Sequence, residues 1–191
     1  MTIKTFHINT DKTAFVRAYL PDSIAGLPFC EKRPAVLIFP GGGYEYCSDR
    51  EGEPIALQYL ALGYAAFVVT YSCNERFPEP LMDAAYIFYK IRMRAEEFKI
   101  DPQKMAVLGC SAGGHLAGCL ATMWSDIALT KTIGCEPEDL RPNAAILCYP
   151  VISGVTAPHE GSFKVLLGED ASRSDLSRLS LENRVTPKTP P

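Results

Sequence analysis

Long apolar runs, basic clusters and paired-cysteine spacings are all missing from this chain of 191 residues. No uninterrupted apolar stretch approaches the roughly 20 residues that cross a bilayer. The amino terminus, Met1-Thr2-Ile3-Lys4-Thr5-Phe6, has no apolar segment of a secretory signal. Membrane insertion is not expected, and a cytoplasmic location is the default. The 19 basic residues fall short of the 22 acidic ones, so the net charge of -3 offers no field to nucleic acid or an anionic membrane surface. Cysteine is present seven times, an odd number, and never in C-x-x-C spacing. That argues against a disulfide framework or zinc site and for a reducing compartment, and neither metal nor cofactor is expected. Histidine is scarce, with three residues. What remains, 47% hydrophobic and 21% charged, fits one domain over 1–191 with a substantial core.

Periodicity predicts an α/β layer sandwich. Thr2 to Ile8 and Thr13 to Leu20 alternate around a short polar stretch and read as an antiparallel pair. Strands are then predicted at Ala35–Phe39, Ala65–Thr70, Lys104–Leu108 and Ala144–Tyr149, and helices at Glu53–Leu62, Leu81–Phe98 and Gly114–Ala121. In the long helix Leu81, Ala84, Ala85, Phe88 and Ile91 recur at helical spacing, whereas Arg92, Arg94, Glu96 and Glu97 are expected mostly to face water. Strands alternating with helices call for a mostly parallel sheet covered on both faces, with ligands at the carboxyl ends of the strands.

Two glycine motifs fall at such ends. Gly109-Cys110-Ser111-Ala112-Gly113 follows the Lys104 strand and opens a helix. This is the setting of a nucleophile elbow, in which a tight turn exposes the serine hydroxyl. The same pentapeptide also fits a plain strand-to-helix turn whose serine caps the helix. Upstream, Pro34-Ala35-Val36-Leu37-Ile38-Phe39 ends in Pro40-Gly41-Gly42-Gly43-Tyr44. Successive glycines let backbone N–H groups approach a ligand closely. Acyl transfer needs donors aimed at a developing oxyanion, here Ala112 with Gly42 and Gly43; otherwise the glycines form a flexible turn. Tyr44 is a candidate wall of the acyl pocket, with simple packing as the other reading. Arg50 with Glu51 or Glu53 is a candidate ion pair fixing the loop.

Pro-Gly-Gly-Gly-Tyr, the Ser-Asp-Arg-Glu-Gly-Glu-Pro stretch at 48–54 and Gly-Cys-Ser-Ala-Gly-Gly-His at 109–115 resemble the α/β-hydrolase esterases related to acetyl xylan esterases and the bacterial feruloyl-esterase-like group. The likeness extends to Leu147-Cys148-Tyr149-Pro150-Val151-Ile152 and His159-Glu160-Gly161-Ser162-Phe163. It implies a three-layer α/β/α sandwich of the α/β-hydrolase type and a small-molecule ester substrate with a short acyl group, acetyl esters of sugars or xylan among them. Lactonase or deacylase chemistry is a near neighbour. It implies nothing about oligomeric state. Segment 153–184, mostly polar, falls where such folds place a cap or pocket lining.

In that chain order the nucleophile precedes the acid and the histidine comes last. With Ala144–Tyr149 as the sixth of eight strands, the acid and base are expected beyond Pro191, on about sixty to eighty further residues. The chain is thus expected to be truncated and nearly inactive, with the sixth strand left at the edge. The contrasting expectation is an inactive fragment or pseudoenzyme that binds a ligand. Of the histidines present, His7 reads as a surface strand residue and His115 as a packing or hydrogen-bonding group on the elbow helix. His159 reads as pocket lining and is the one internal candidate for a base. Cys110 suits packing, Asp83 a helix amino terminus, and Asp170 and Asp175 a solvated loop and helix start.

Overall fold

The computed structural model describes residues 1–7, 14–23, 30 and 32–191. Among these, strands run over Thr2–His7 (β1), Phe15–Leu20 (β2), Arg33–Phe39 (β3), Ala65–Thr70 (β4), Ile100–Cys110 (β5) and Ala144–Cys148 (β6). They form one sheet in the order β1-β2-β4-β3-β5-β6. β1 pairs antiparallel with β2, and β2 with β4. From β4 through β3 and β5 to β6 every pairing is parallel, with Cys110 opposite Cys148 at the carboxyl end. Ile8 and Thr13, expected in the first two strands, lie outside the described residues.

Successive side chains of a strand face opposite sides, and β3 divides its apolar run accordingly. Leu37 and Phe39 join Phe67 and Val107 in a large core, and Val36 and Ile38 join Tyr19, Ala66, Leu108 and Cys110 in a smaller one. The large core is closed by helices Glu79–Met93 (α2) and Ala112–Met123 (α4), through Leu81, Phe88, Ile91, Leu116 and Leu120. The small core is closed by Glu53–Ala61 (α1), whose buried residue is Ala56. Burial on both faces is what lets β3 be continuously apolar. The layers are those of an α/β-hydrolase sandwich with a mostly parallel sheet.

Three expectations need correction. The helix expected over Leu81–Phe98 breaks at Arg94 (φ -104°, ψ 25°) into α2 and a single turn, Ala95–Phe98 (α3). The break turns Phe98 under the sheet, where its ring meets Phe67 at 5.3 Å and Phe6 at 5.9 Å. Arg92 does not face water. It is buried, and its guanidinium donates to the carbonyls of Glu138, Asp139 and Arg141 at 2.7–3.0 Å, tying α2 to the chain that leads into β6. Burial lowers its pKa to about 10. The strand expected at Lys104–Leu108 is the centre of a longer one, because Ile100 already pairs with Arg33 across an irregularity in the β3 register.

After α4 come the helices Ile127–Ile133 (α5) and Pro137–Leu140 (α6), and residues 153–184 hold the helices Glu160–Leu167 (α7) and Arg173–Arg178 (α8) and a 3-10 turn at Leu181–Asn183. Phe163, Leu166, Leu179 and Leu181 join the large core. On the outer edge of β6, the Ala145 N–H donates to the Pro191 carbonyl at 2.8 Å.

Candidate active site

β5 ends at Cys110 and α4 begins at Ala112, so Ser111 alone makes the turn. Its φ of 52° and ψ of -118° are strained for a residue with a side chain. The flanking glycines make the turn physically feasible. A Cβ on Gly109 would stand 2.0 Å from the Gly113 carbonyl oxygen, and one on Gly113 would stand 2.0 Å from that of Phe39. The Ser111 N–H donates to the Cys148 carbonyl at 3.0 Å, and the Ser111 carbonyl accepts from the N–H groups of His115 (3.0 Å) and Val151 (3.1 Å). The turn is therefore pinned to both α4 and the chain leaving β6.

The loop after β3 lies against it. A Cβ on Gly41 would reach 3.0 Å from the Ser111 Cβ and 2.7 Å from the Cys110 carbonyl oxygen. Gly42 (φ 134°) and Gly43 (φ 67°) then take left-handed conformations that turn the chain back. The Gly41 N–H donates to Glu51 Oε2 at 2.6 Å. Among the described residues, the Gly42 and Gly43 N–H groups donate to no protein acceptor. Ala112 heads α4, where first-turn amides have no acceptor in their own helix and the helix dipole favours negative charge.

Glu51 is the residue that sequence reasoning misplaced. Its other oxygen, Oε1, accepts from the Tyr149 hydroxyl at 2.7 Å, so one carboxylate links the glycine loop to the residue after β6. That hydrogen bond pushes the Tyr149 hydroxyl above its ordinary pKa. The expected Arg50 partnership does not describe either acid: Glu53 pairs with Arg17 at 3.6 Å and accepts from the Tyr19 hydroxyl at 2.6 Å. Position in the 48–54 stretch marked Glu51 as interesting, but a partner 98 residues later has no local signal.

A cavity of about 610 Å³ opens over Ser111, lined also by Tyr149, Ile152, Thr156, His159 and Glu182. Tyr44 is not in that lining. It is buried, donating its hydroxyl to His115 Nδ1 at 2.7 Å beside the ring of Tyr71. His115 Nε2 faces the Leu179 carbonyl at 2.8 Å, which can only accept, so the ring proton is on Nε2 and Tyr44 is the donor at Nδ1. Burial holds this imidazole below its ordinary pKa. His159 caps α7: its Nδ1 accepts from the Ser162 N–H at 3.3 Å. The same nitrogen lies 2.9 Å from the Ser162 hydroxyl. His7 lies on the far edge strand, four strands from β5, about 19 Å at the usual strand spacing.

The remaining candidates have structural partners. Burial raises the Cys110 thiol to about 11, which keeps it protonated in the small core. Asp83 accepts from the Ser72 N–H at 2.8 Å. Asp175 forms a capping box with Ser172 at the start of α8, and Asp170 is exposed. No helix among the described residues is long and apolar enough to cross a membrane.

The BD-FAE family model matches residues 27–161. An endo-1,4-beta-xylanase B of Butyrivibrio fibrisolvens is 36% identical over 84% of this chain and 26% of its own length. An acetylxylan esterase of Xylanibacter ruminicola is 30% identical over 98% of this chain and 36% of its own. The chain thus spans about a quarter and about a third of these two curated relatives. Among solved structures, the acetyl ester-xyloside bifunctional hydrolase of Caldicellulosiruptor lactoaceticus superposes with a TM-score of 0.82 at 32% identity, over 99% of this chain and 71% of that one.

Proposed function

This chain belongs to the BD-FAE family of α/β-hydrolase esterases, and from that premise we propose that it carries the nucleophile and oxyanion donors of a serine carboxylic ester hydrolase, with Ser111 as nucleophile. The observation that carries the reading is the strained Ser111 turn, facing a cavity beside a glycine loop with unengaged N–H groups.

Ser111 Oγ attacks the ester carbonyl carbon and loses its proton to a base. The Ala112, Gly42 and Gly43 amides receive the oxyanion. Collapse expels the alkoxide, which takes up a proton, and water then releases the acid from the acyl-enzyme. Acetyl is the favoured acyl group, on the named activities of the acetylxylan esterase and the acetyl ester-xyloside hydrolase. Thr156, His159 and Glu182 in the cavity lining offer polar contacts to a sugar alcohol.

On this reading the base lies outside the three imidazoles: His115 has both ring nitrogens engaged, His159 Nδ1 is held by Ser162 at the start of α7, and His7 lies four strands from β5. Turnover by these 191 residues alone is accordingly expected to be slow. That same geometry favours the second reading, a binding module that holds an ester without cleaving it. Mass spectrometry after exposure to a fluorophosphonate separates the two: covalent label on the Ser111 peptide supports the nucleophile, and an unlabelled protein that still binds acetylated xylooligosaccharide supports the binding module.

A further inference from the structure

Away from Ser111, two thiols meet. Cys47 ends the loop that starts at Gly41, Cys73 follows β4, and their Sγ atoms are 3.7 Å apart. Both side chains are half-buried. The backbone around them is already held in register: the Asn74 N–H donates to the Tyr44 carbonyl at 2.8 Å, and Asn74 Nδ2 to the Glu45 carbonyl at 2.8 Å. A disulfide needs about 2.05 Å between sulfurs. Cys47 also lines an open groove of about 840 Å³, together with Phe15, Arg17 and Asp49, which gives a small oxidant access to that member of the pair.

We propose that Cys47 and Cys73 are a modification site, a dithiol that a hydroperoxide converts to an intramolecular disulfide. The two sulfurs share a hydrogen bond in which either can donate, so the S–H of one assists ionisation of the other. The thiolate attacks the peroxide, forming a sulfenic acid and releasing hydroxide. The second thiol then displaces water from that sulfenic acid to form the S–S bond. In total two thiols and one hydrogen peroxide give one disulfide and two waters. The link would fix the far end of the loop that holds Gly42 and Gly43 without touching Ser111.

Cys110 and Cys148 are the competing pair, because they face each other across β5 and β6. Native protein treated with hydrogen peroxide, alkylated and mapped by non-reducing mass spectrometry decides between them. The expected result is a monomer that has lost two of its seven thiols, with the Cys47 and Cys73 peptides joined and then freed by dithiothreitol. In Cys47→Ser or Cys73→Ser, the oxidised thiol that remains should stop at the sulfenic acid and be trapped by dimedone. A Cys110–Cys148 link, chain-to-chain links alone, or seven unmodified thiols would overturn the proposal.

Discussion

The turn that carries Ser111 and residues 153–184, several of which line the cavity beside it, are held by different forces. The turn is fixed by backbone crowding: Gly41, Gly109 and Gly113 stand where no side-chain carbon fits, and the chain between them has one way to run. That lining segment is fixed by side chains, with Phe163, Leu166, Leu179 and Leu181 in the large core and hydrogen bonds at its turns. His159 caps α7, Ser172 and Asp175 cap α8, and the Ser180 hydroxyl accepts from the Gly154 N–H at 2.9 Å. Steric fixation leaves the serine position no slack, whereas capping bonds worth about 1 kcal/mol each can be exchanged one at a time. On the proposed reading, that division sets Ser111 rigidly beside a lining segment free to vary with substrate.

Substitutions that cross the division test it. Gly113→Ala should have the largest effect, since its Cβ meets backbone and not a movable side chain. A loss of about 3 kcal/mol or more in denaturant unfolding is expected, and a loss under about 1 kcal/mol would show that the turn is not sterically fixed. Glu51→Ala should come next. Its removal frees the Gly41 N–H and the Tyr149 hydroxyl together, so kcat for p-nitrophenyl acetate should fall about ten- to a hundredfold, as expected for loosened positioning, with little change in melting temperature.

Tyr44→Phe removes the donor to a buried imidazole nitrogen and should cost about 1–3 kcal/mol in unfolding free energy. His115 itself adds a pH dependence. Its folded pKa lies below the unfolded value because burial penalises the charged ring, an effect that the Leu179 carbonyl and the charge of Glu182 offset only in part. The unfolded chain therefore binds more protons between the two pKa values, and stability should fall as pH drops below about 6.5, by up to about 1.4 kcal/mol per unit. Urea titrations of the parent and His115→Gln should differ in slope there. Ser172→Ala, in the capped segment, should cost about 1 kcal/mol and leave hydrolysis unchanged.

The same division governs what the sequence made legible. Gly41, Gly42, Gly109 and Gly113 could be read because crowding admits one residue type, and that restriction is written in the chain itself. The parallel strands were legible for a similar reason, as short apolar runs bounded by turn residues. Glu51 and Arg92 were not. Each is a charged residue whose partners are backbone amides, carbonyls or a hydroxyl contributed by remote segments, and local pattern assigns such residues to solvent. The break at Arg94 escaped periodicity too, since the packing of Phe98 against Phe6 and Phe67 decides it. Tyr44 was legible as a residue of interest but not as a buried partner of His115, because that bond crosses 71 positions.

Hydrolysis of p-nitrophenyl acetate by the parent chain and by Ser111→Ala, measured side by side with His159→Ala, tests the central claim most directly. The account predicts a slow rate in the parent, its loss in Ser111→Ala and its retention in His159→Ala. Equal rates in the parent and Ser111→Ala would contradict the assignment of Ser111 as nucleophile.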